Sequence, residues 1–193
     1  MTESEMLEKL KKTQKKKRFL HTLGVVDEAE RLAQKFGVDK DKARLAALLH
    51  DCAKNLDEAT GKSLYKLCDD YGVCLDEYAQ KEKALVHAFL GAAVAKKDYG
   101  VDDEDVLSAI YYHTTGKPDM TLLEKIIYIA DMTEQGRTLS QSAEIRRKLE
   151  KNCDEALIYA IACSIKHVAD IGSLIHPDSI HAFNYLVCRG RNA

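Results

Sequence analysis

The stretch Leu45-Ala46-Ala47-Leu48-Leu49-His50-Asp51-Cys52-Ala53-Lys54 constrains this chain more than any other. It reads as an apolar helical run that stops at an adjacent imidazole and carboxylate. Burying two such groups at the end of a helix costs desolvation free energy unless something compensates them, and a bound cation is the usual compensator. A His-Asp dipeptide carries no weight by itself. The weight comes from its context: His21 upstream, His87 and His113 further on, and Asp131 at the end of another apolar helix.

The rest of the chain must then supply elements that pack around that run. At 193 residues it is long enough for one domain with a substantial core. Two prolines, ten glycines and few β-branched runs leave little for a sheet, whereas 31% charged residues interleaved with Ala and Leu suit amphipathic helices. The expectation is an all-α fold. A net charge of −2 argues against a general nucleic-acid binder, so no stable nucleic-acid complex is expected and any polyanion must be met locally. Cys52, Cys68, Cys74, Cys153, Cys163 and Cys188 form no Cys-x-x-Cys pair and read as small buried hydrophobes. With no secretory segment and no run of 18 apolar residues, the expected setting is a reducing cytoplasm, with no membrane role.

Taken in order, apolar spacing predicts a helix from Glu3 to Arg18, whose tail from position 9 onward holds seven Lys or Arg residues. That face is read as solvated, with steering of a phosphate-rich substrate or an RNA as its functional alternative. A helix from Arg18 to Phe36 carries His21 and stops at Gly37, and Asp39 caps the helix that ends in His50. Further helices are expected at 57–71, Glu77–Tyr99, Val106–His113, Leu122–Thr133, Asp154–Ile171 and Asp178–Arg189. The small-residue face around Gly91 lets another helix approach closely, and Ala92 to Ala95 form core or a dimer interface. Thr121 and Glu124 make a capping box. His50, Asp51, His113 and Asp131 all fall at or near helix C-terminal ends, where the dipole favours a cation; a shared end of a helical bundle would hold a metal.

The arrangement His21, His50-Asp51 and Asp131 resembles the HD superfamily of metal-dependent phosphohydrolases. A closer match lies in Arg18-Phe19-Leu20-His21-Thr22, Leu48 to Lys54, Tyr112-His113-Thr114-Thr115-Gly116-Lys117-Pro118, Met120 to Lys125 and Tyr128-Ile129-Ala130-Asp131. These motifs resemble the YqeK family of bacterial HD proteins over nearly the whole chain, from Arg18 to about Tyr185. The resemblance implies one HD-type helical bundle over residues 1–193, with a core at about 18–137 and C-terminal helices at 154–190 completing a nucleotide pocket. It implies the activity of a symmetrical bis(5'-nucleosyl)-tetraphosphatase, which splits diadenosine tetraphosphate into two ADP with iron or a similar divalent metal. Carried over residue by residue, it makes His21, His50, Asp51 and Asp131 metal ligands, and has His87 and His113 support the phosphates or a second metal. It implies nucleotide contacts from His21, Gly24, Asp51, His87, His113, Thr114, Asp131, Arg137 and the loop Ser173, Leu174, Ile175, His176, Pro177, Asp178. The run Glu134-Gln135-Gly136-Arg137 departs from the family's Glu-Pro-x-Arg turn by lacking the proline, which leaves the position of Arg137 open.

The residues support the same chemistry without the family. Two imidazoles and two carboxylates leave a metal with open positions for water and a phosphoryl oxygen, which lowers the pKa of the water and polarises the phosphorus. No Cys-His or Ser-His motif argues for a covalent intermediate, so direct attack of metal-activated water is expected, with Asp51 or Asp131 taking its proton. Asp51, Lys54, His87 and His113 are the candidate catalytic groups, and Lys54, His113 and Arg137 would offset charge on the transition state and the departing ADP. Nitrogen and oxygen ligands admit iron, manganese, zinc, cobalt or magnesium, histidine making magnesium alone the poorer fit; iron is the metal the resemblance implies, and one or two metals stay open. Two other classes remain. One is a different HD phosphohydrolase, acting on a nucleoside triphosphate, a guanosine alarmone or a cyclic nucleotide. The other is a non-catalytic nucleotide sensor. A homodimer stays open.

Overall fold

A computed structural model describes residues 1–191 and contains, among them, eleven helices and no strand. The central element is α3 (Lys40–Leu49), opened by the Asp39 carboxylate, which accepts from the amides of Asp41 and Lys42. Ala43, Ala46 and Ala47 give it a narrow buried face, and Leu48 and Leu49 fill the space beyond. Three helices close around it: α2 (Lys16–Phe36), α7 (Glu104–Tyr112) and α8 (Leu122–Thr133). Leu32 of α2, Ile110 of α7 and Ile126, Ile127 and Ile129 of α8 are fully buried in the same core as Leu49. Removing one such side chain, as in Leu49→Ala, costs roughly 2–5 kcal/mol in a core that relaxes only in part. The frame that carries His50 and Asp51 is therefore closely packed.

The long α6 (Lys83–Tyr99) lies against α7, and its small face meets the end of α3: a Cβ on Gly91 would fall 3.5 Å from the His50 carbonyl oxygen. Val94 and Ala95 are core, while Ala92 and Ala93 are half-buried within the chain. The Thr121–Glu124 capping box opens α8 as expected, and Gly37 ends α2 in the left-handed region at φ 72°. Three further helices, α9 (Ser140–Leu149), α10 (Cys153–Asp170) and α11 (Pro177–Arg191), complete the described chain; α10 packs on α8, α9 and α11.

Several boundaries depart from the sequence reading. The expected helix from Glu3 to Arg18 is α1 (Glu3–Thr13), broken from α2 at Gln14, whose backbone is extended. That break is tertiary in origin: the buried Gln14 amide donates to the Asp51 carbonyl at 3.1 Å and accepts from the Thr22 hydroxyl at 3.2 Å. The 57–71 helix is two pieces, α4 (Leu56–Thr60) and α5 (Leu64–Tyr71), divided by Gly61 at φ 69°. Residues 77–81 are turns rather than the start of α6, because the Asp76 carboxylate captures the amides of Tyr78 and Ala79. α9 was not expected at all. The cysteines are unpaired, but only Cys52, Cys68 and Cys153 are buried; Cys163 is half-buried, and Cys74 and Cys188 are exposed where their helix or turn faces water. Of the basic run, Lys9, Lys15 and Arg18 pair with Asp98, Glu58 and Asp51, while Lys11, Lys12, Lys16 and Lys17 are exposed.

Candidate active site

The site forms where helices stop. His50 is the C-cap of α3 and Asp51 follows it; His113 is the C-cap of α7; Asp131 lies in the last turn of α8. His21 comes from the early part of α2 and His87 from the first turns of α6. The turn after His113 is closed by the Gly116 amide bonding the Tyr112 carbonyl at 2.8 Å, and Gly116 takes φ 68° there, a conformation costly for other residues.

Three of the imidazoles are oriented in one way. Nδ1 donates to the carbonyl three residues back in His50 (Ala47, 2.6 Å), His87 (Ala84, 2.8 Å) and His113 (Ile110, 2.7 Å). A carbonyl only accepts, so each proton sits on Nδ1 and each Nε2 offers a lone pair to the interior. For His21 the same part is played by a carboxylate, since Glu134 Oε1 lies 3.1 Å from Nδ1. The Nε2 atoms thus face other acceptors. His21 Nε2 is 2.9 Å from Asp131 Oδ1, His50 Nε2 is 3.4 Å from Asp51 Oδ2, and His87 Nε2 is 3.2 Å from both Asp51 Oδ1 and His113 Nε2. Close as they are, His21 Nε2, His50 Nε2 and Asp51 Oδ1 are buried without an aligned hydrogen-bond partner. Lone pairs converging in this way repel one another unless a cation stands among them.

Two overlapping sets of donors result. His21, His50 and Asp51 bring ligand atoms within 4.8 Å of one another, and so do Asp51, His87 and His113. The residues therefore fit a divalent metal. Asp51 belongs to both sets, and the Arg18 guanidinium fixes its second oxygen at 2.7 Å. Electrostatics follow from the packing. Burial is the largest influence on His50 and would lower its pKa, but the neighbouring Asp51 carboxylate outweighs it and raises the value. Burial likewise opposes the charge on Asp51, yet His50 and the other imidazoles hold its pKa well below the carboxylate range. Burial, reinforced by His50, pushes His113 down to about 4, and burial also lowers His87 and Lys54. His113 is consequently a neutral acceptor at neutral pH.

In front of these groups lies a cavity of about 260 Å³ lined by Arg18, Asp51, Lys54, Ala84, His87, His113, Thr114, Tyr128, Asp131, Met132, Arg137 and Ser164. The Lys54 ammonium sits 3.2 Å from His87 Nε2. Arg137 donates to the Asp131 carbonyl at 3.0 Å and to Asp131 Oδ1 at 3.1 Å. The turn closes without a proline, the Arg137 amide bonding the Glu134 carbonyl at 2.9 Å. His50 is fully buried and His21 nearly so, and neither is on the cavity wall. Gly24 is not on it either; it packs against Glu134, where a Cβ would fall 2.6 Å from Oε2. The Ser173, Leu174, Ile175, His176, Pro177, Asp178 segment lies off this wall as well. His176 is buried and held to Asp76 at 2.6 Å, Asp178 donates its amide to His176, and the following Ser179 hydroxyl donates to the Thr115 carbonyl at 2.9 Å. The sequence reading missed Glu134, Tyr128, Met132 and Ser164, and gave Arg18 no role. Arg18 and Tyr128 stood within quoted motifs, one turn from His21 and Asp131, which is the signal that could have raised them.

The HD domain family model matches residues 18–136, the interval that holds all six of these histidine and aspartate side chains. Fold and site together define an HD-domain protein. The symmetrical bis(5'-nucleosyl)-tetraphosphatase of Bacillus subtilis strain 168 is 36% identical over 97% of this chain and 98% of its own. The protein of that name from Halalkalibacterium halodurans is 34% identical, over 88% of this chain and 89% of its own. A crystal structure from Clostridium acetobutylicum, described as a predicted HD superfamily hydrolase involved in NAD metabolism, superposes with a TM-score of 0.91 at 41% identity, covering 98% of both chains. The chain belongs to the HD domain family and, within it, to the YqeK-type group of these symmetrical tetraphosphatases.

Proposed function

We infer that this chain is a metal-dependent phosphohydrolase that cleaves diadenosine tetraphosphate in the middle and releases two ADP. The observation that carries this reading is the convergence of His21 Nε2, His50 Nε2 and Asp51 Oδ1, buried and unpartnered, in a chain related to symmetrical tetraphosphatases. His21, His50, Asp51 and Asp131 would hold the ion, and the inward Nε2 lone pairs of His87 and His113, which cannot donate to a phosphate oxygen, would join Asp51 around a second ion. Imidazole and carboxylate donors suit iron, manganese, cobalt or zinc better than magnesium alone, and we take iron. Bound there, the ion supplies a water of lowered pKa and withdraws charge from a phosphoryl oxygen.

The other tasks belong to the chain's own residues. Arg18, Lys54 and Arg137 line the cavity and offset the charge of the tetraphosphate as the central bond breaks. Arg18 fixes Asp51 Oδ2, and Asp51 is shared by both donor sets, so Asp131 is the freer carboxylate to take the proton of the attacking water. Neutral His113 accepts a hydrogen bond and does not add positive charge. Thr114, Tyr128, Met132 and Ser164 would seat a nucleoside half in a single-domain pocket to which α10 contributes Ser164. Gly24 acts by making room for Glu134, and Ser179, just after the 173–178 segment, steadies Thr114 through Thr115. No helix among the described residues is long and apolar enough to cross a membrane. Unpaired cysteines suit a reducing cytoplasm, where we place the protein.

The test is anaerobic purification with elemental analysis, followed by chromatography of the products from diadenosine tetraphosphate. Metal-dependent release of ADP alone is expected. AMP with ATP as main products would put the break one phosphate away and overturn the symmetrical assignment. Turnover of a nucleoside triphosphate, alarmone or cyclic nucleotide in preference would favour another HD activity.

A further inference from the structure

A second cavity, of about 310 Å³, lies where α4, α5 and the start of α6 meet, and it is lined by Lys54, Asp57, Glu58, Leu64, Lys83, Ala84 and His87. Lys54, Ala84 and His87 line the first cavity as well, so the two spaces share a wall. That wall is the near side of the metal-ligand cluster: Lys54 touches His87, and His87 Nε2 is 3.2 Å from Asp51 Oδ1. Resting on the reading above, a substrate made of two identical halves and cut at its centre needs a seat on each side of that cluster. The first cavity supplies one.

We propose that the second cavity is the other, binding the nucleoside diphosphate half that departs. Its chemistry is suited to such a guest. Lys54 and Lys83 offer ammonium groups to the diphosphate, the exposed Ala84 with the edge of Leu64 gives a small apolar surface for a base, and Asp57 and Glu58 give acceptors for an exocyclic amino group or ribose hydroxyls. The acidic pair does not repel the phosphates, because Lys83 neutralises Asp57 at 2.9 Å and Lys15 neutralises Glu58 at 2.8 Å. Lys83 is well exposed, and its ammonium has three N–H donors, so it can bond a phosphate oxygen while keeping one donor on Asp57.

Equilibrium dialysis of labelled ADP against the metal-loaded protein tests this directly. Two ADP per chain are expected for the parent. Lys83→Glu should weaken one of them, and raise KM for diadenosine tetraphosphate, by about tenfold, the loss of one charge-assisted contact, with metal content unchanged. Lys83→Arg should restore both. An acidic residue is favourable in the first turn of a helix, so the Glu variant keeps its fold. One ADP per chain in the parent, or a second ADP indifferent to Lys83→Glu, would overturn the subsite. Failure of the hydrolytic reading shows separately, as absence of ADP release from diadenosine tetraphosphate.

Discussion

His21 can act as a ligand through Nε2 only while its other nitrogen is held, and the Glu134 carboxylate 3.1 Å from Nδ1 holds it. Glu134 is buried, and two glycines make the space: a Cβ on Gly24 would fall 2.6 Å from Oε2, and one on Gly136 would fall 2.9 Å from Oε1. Glu134→Ala should therefore weaken metal affinity by roughly 10–100-fold, the usual effect of losing such a partner, while Glu134→Gln keeps an acceptor and most of the affinity. Gly24→Ala should act in the same direction, by pushing the carboxylate off the imidazole. Metal titration, together with the nitrogen NMR shifts that report the His21 tautomer, checks this; unchanged affinity in both Ala variants would return Glu134 to packing. None of it was legible in the sequence. Glu134 stands just after an apolar helix, where a glutamate is ordinarily solvated, and Gly24 carries no sign of what it faces 110 residues away.

The elements differ in how far the sequence disclosed them. α3, α7 and α8 were readable because their buried faces are apolar at helical spacing and their caps are local: Asp39, Asp103 and the Thr121–Glu124 box. Those three helices present His50, Asp51, His113 and Asp131, which is why the centre of the site was legible too. α9 was missed because only Ser142, Ile145 and Leu149 face inward and no side chain caps its start. Yet it has a task near the site: Arg146 bonds the carbonyls of Thr133, Glu134 and Arg137 at 3.0, 2.9 and 3.0 Å, bracing the turn between Asp131 and Arg137. The Asp76 turn was hidden for a related reason, since Asp76 joins the start of α11 only through His176. Burial opposes the charge on Asp76, but the Ala79 amide and His176 outweigh it and hold the folded-state pKa below the usual value. A pKa lowered on folding stabilises the protein fully above the unfolded value, about 4, and that stability is lost as pH falls through the folded value. Asp76→Asn should accordingly be less stable than the parent at neutral pH and converge with it in acid. Urea midpoints across that range check this, and a pH-independent difference would rule it out.

For the molecule as a whole, the division between core and site sets what removal of the metal should do. The buried apolar cluster runs from Met6 to Leu186, and His50, Asp51, His113 and Asp131 stand at the helix ends beside it. A metal-free chain should therefore stay folded and helical, with its site strained by the facing lone pairs of His21, His50 and Asp51. Binding to the native state alone stabilises by RT ln(1 + [L]/Kd), about 2.7 kcal/mol at a hundredfold excess over Kd, or roughly 5–10 °C in Tm for a chain of this size. A chelator should lower Tm by that amount, and the fall should reverse on adding back the ion. His50→Ala deletes a ligand without opening the apolar core, so its Tm should respond neither to chelator nor to metal, with its helical circular dichroism retained. Calorimetry of the parent and this variant, each with and without chelator, separates the cases. If the parent unfolds on losing its ion, the metal is part of the core and the division drawn here is wrong; if His50→Ala still gains stability from metal, the ion binds through other ligands.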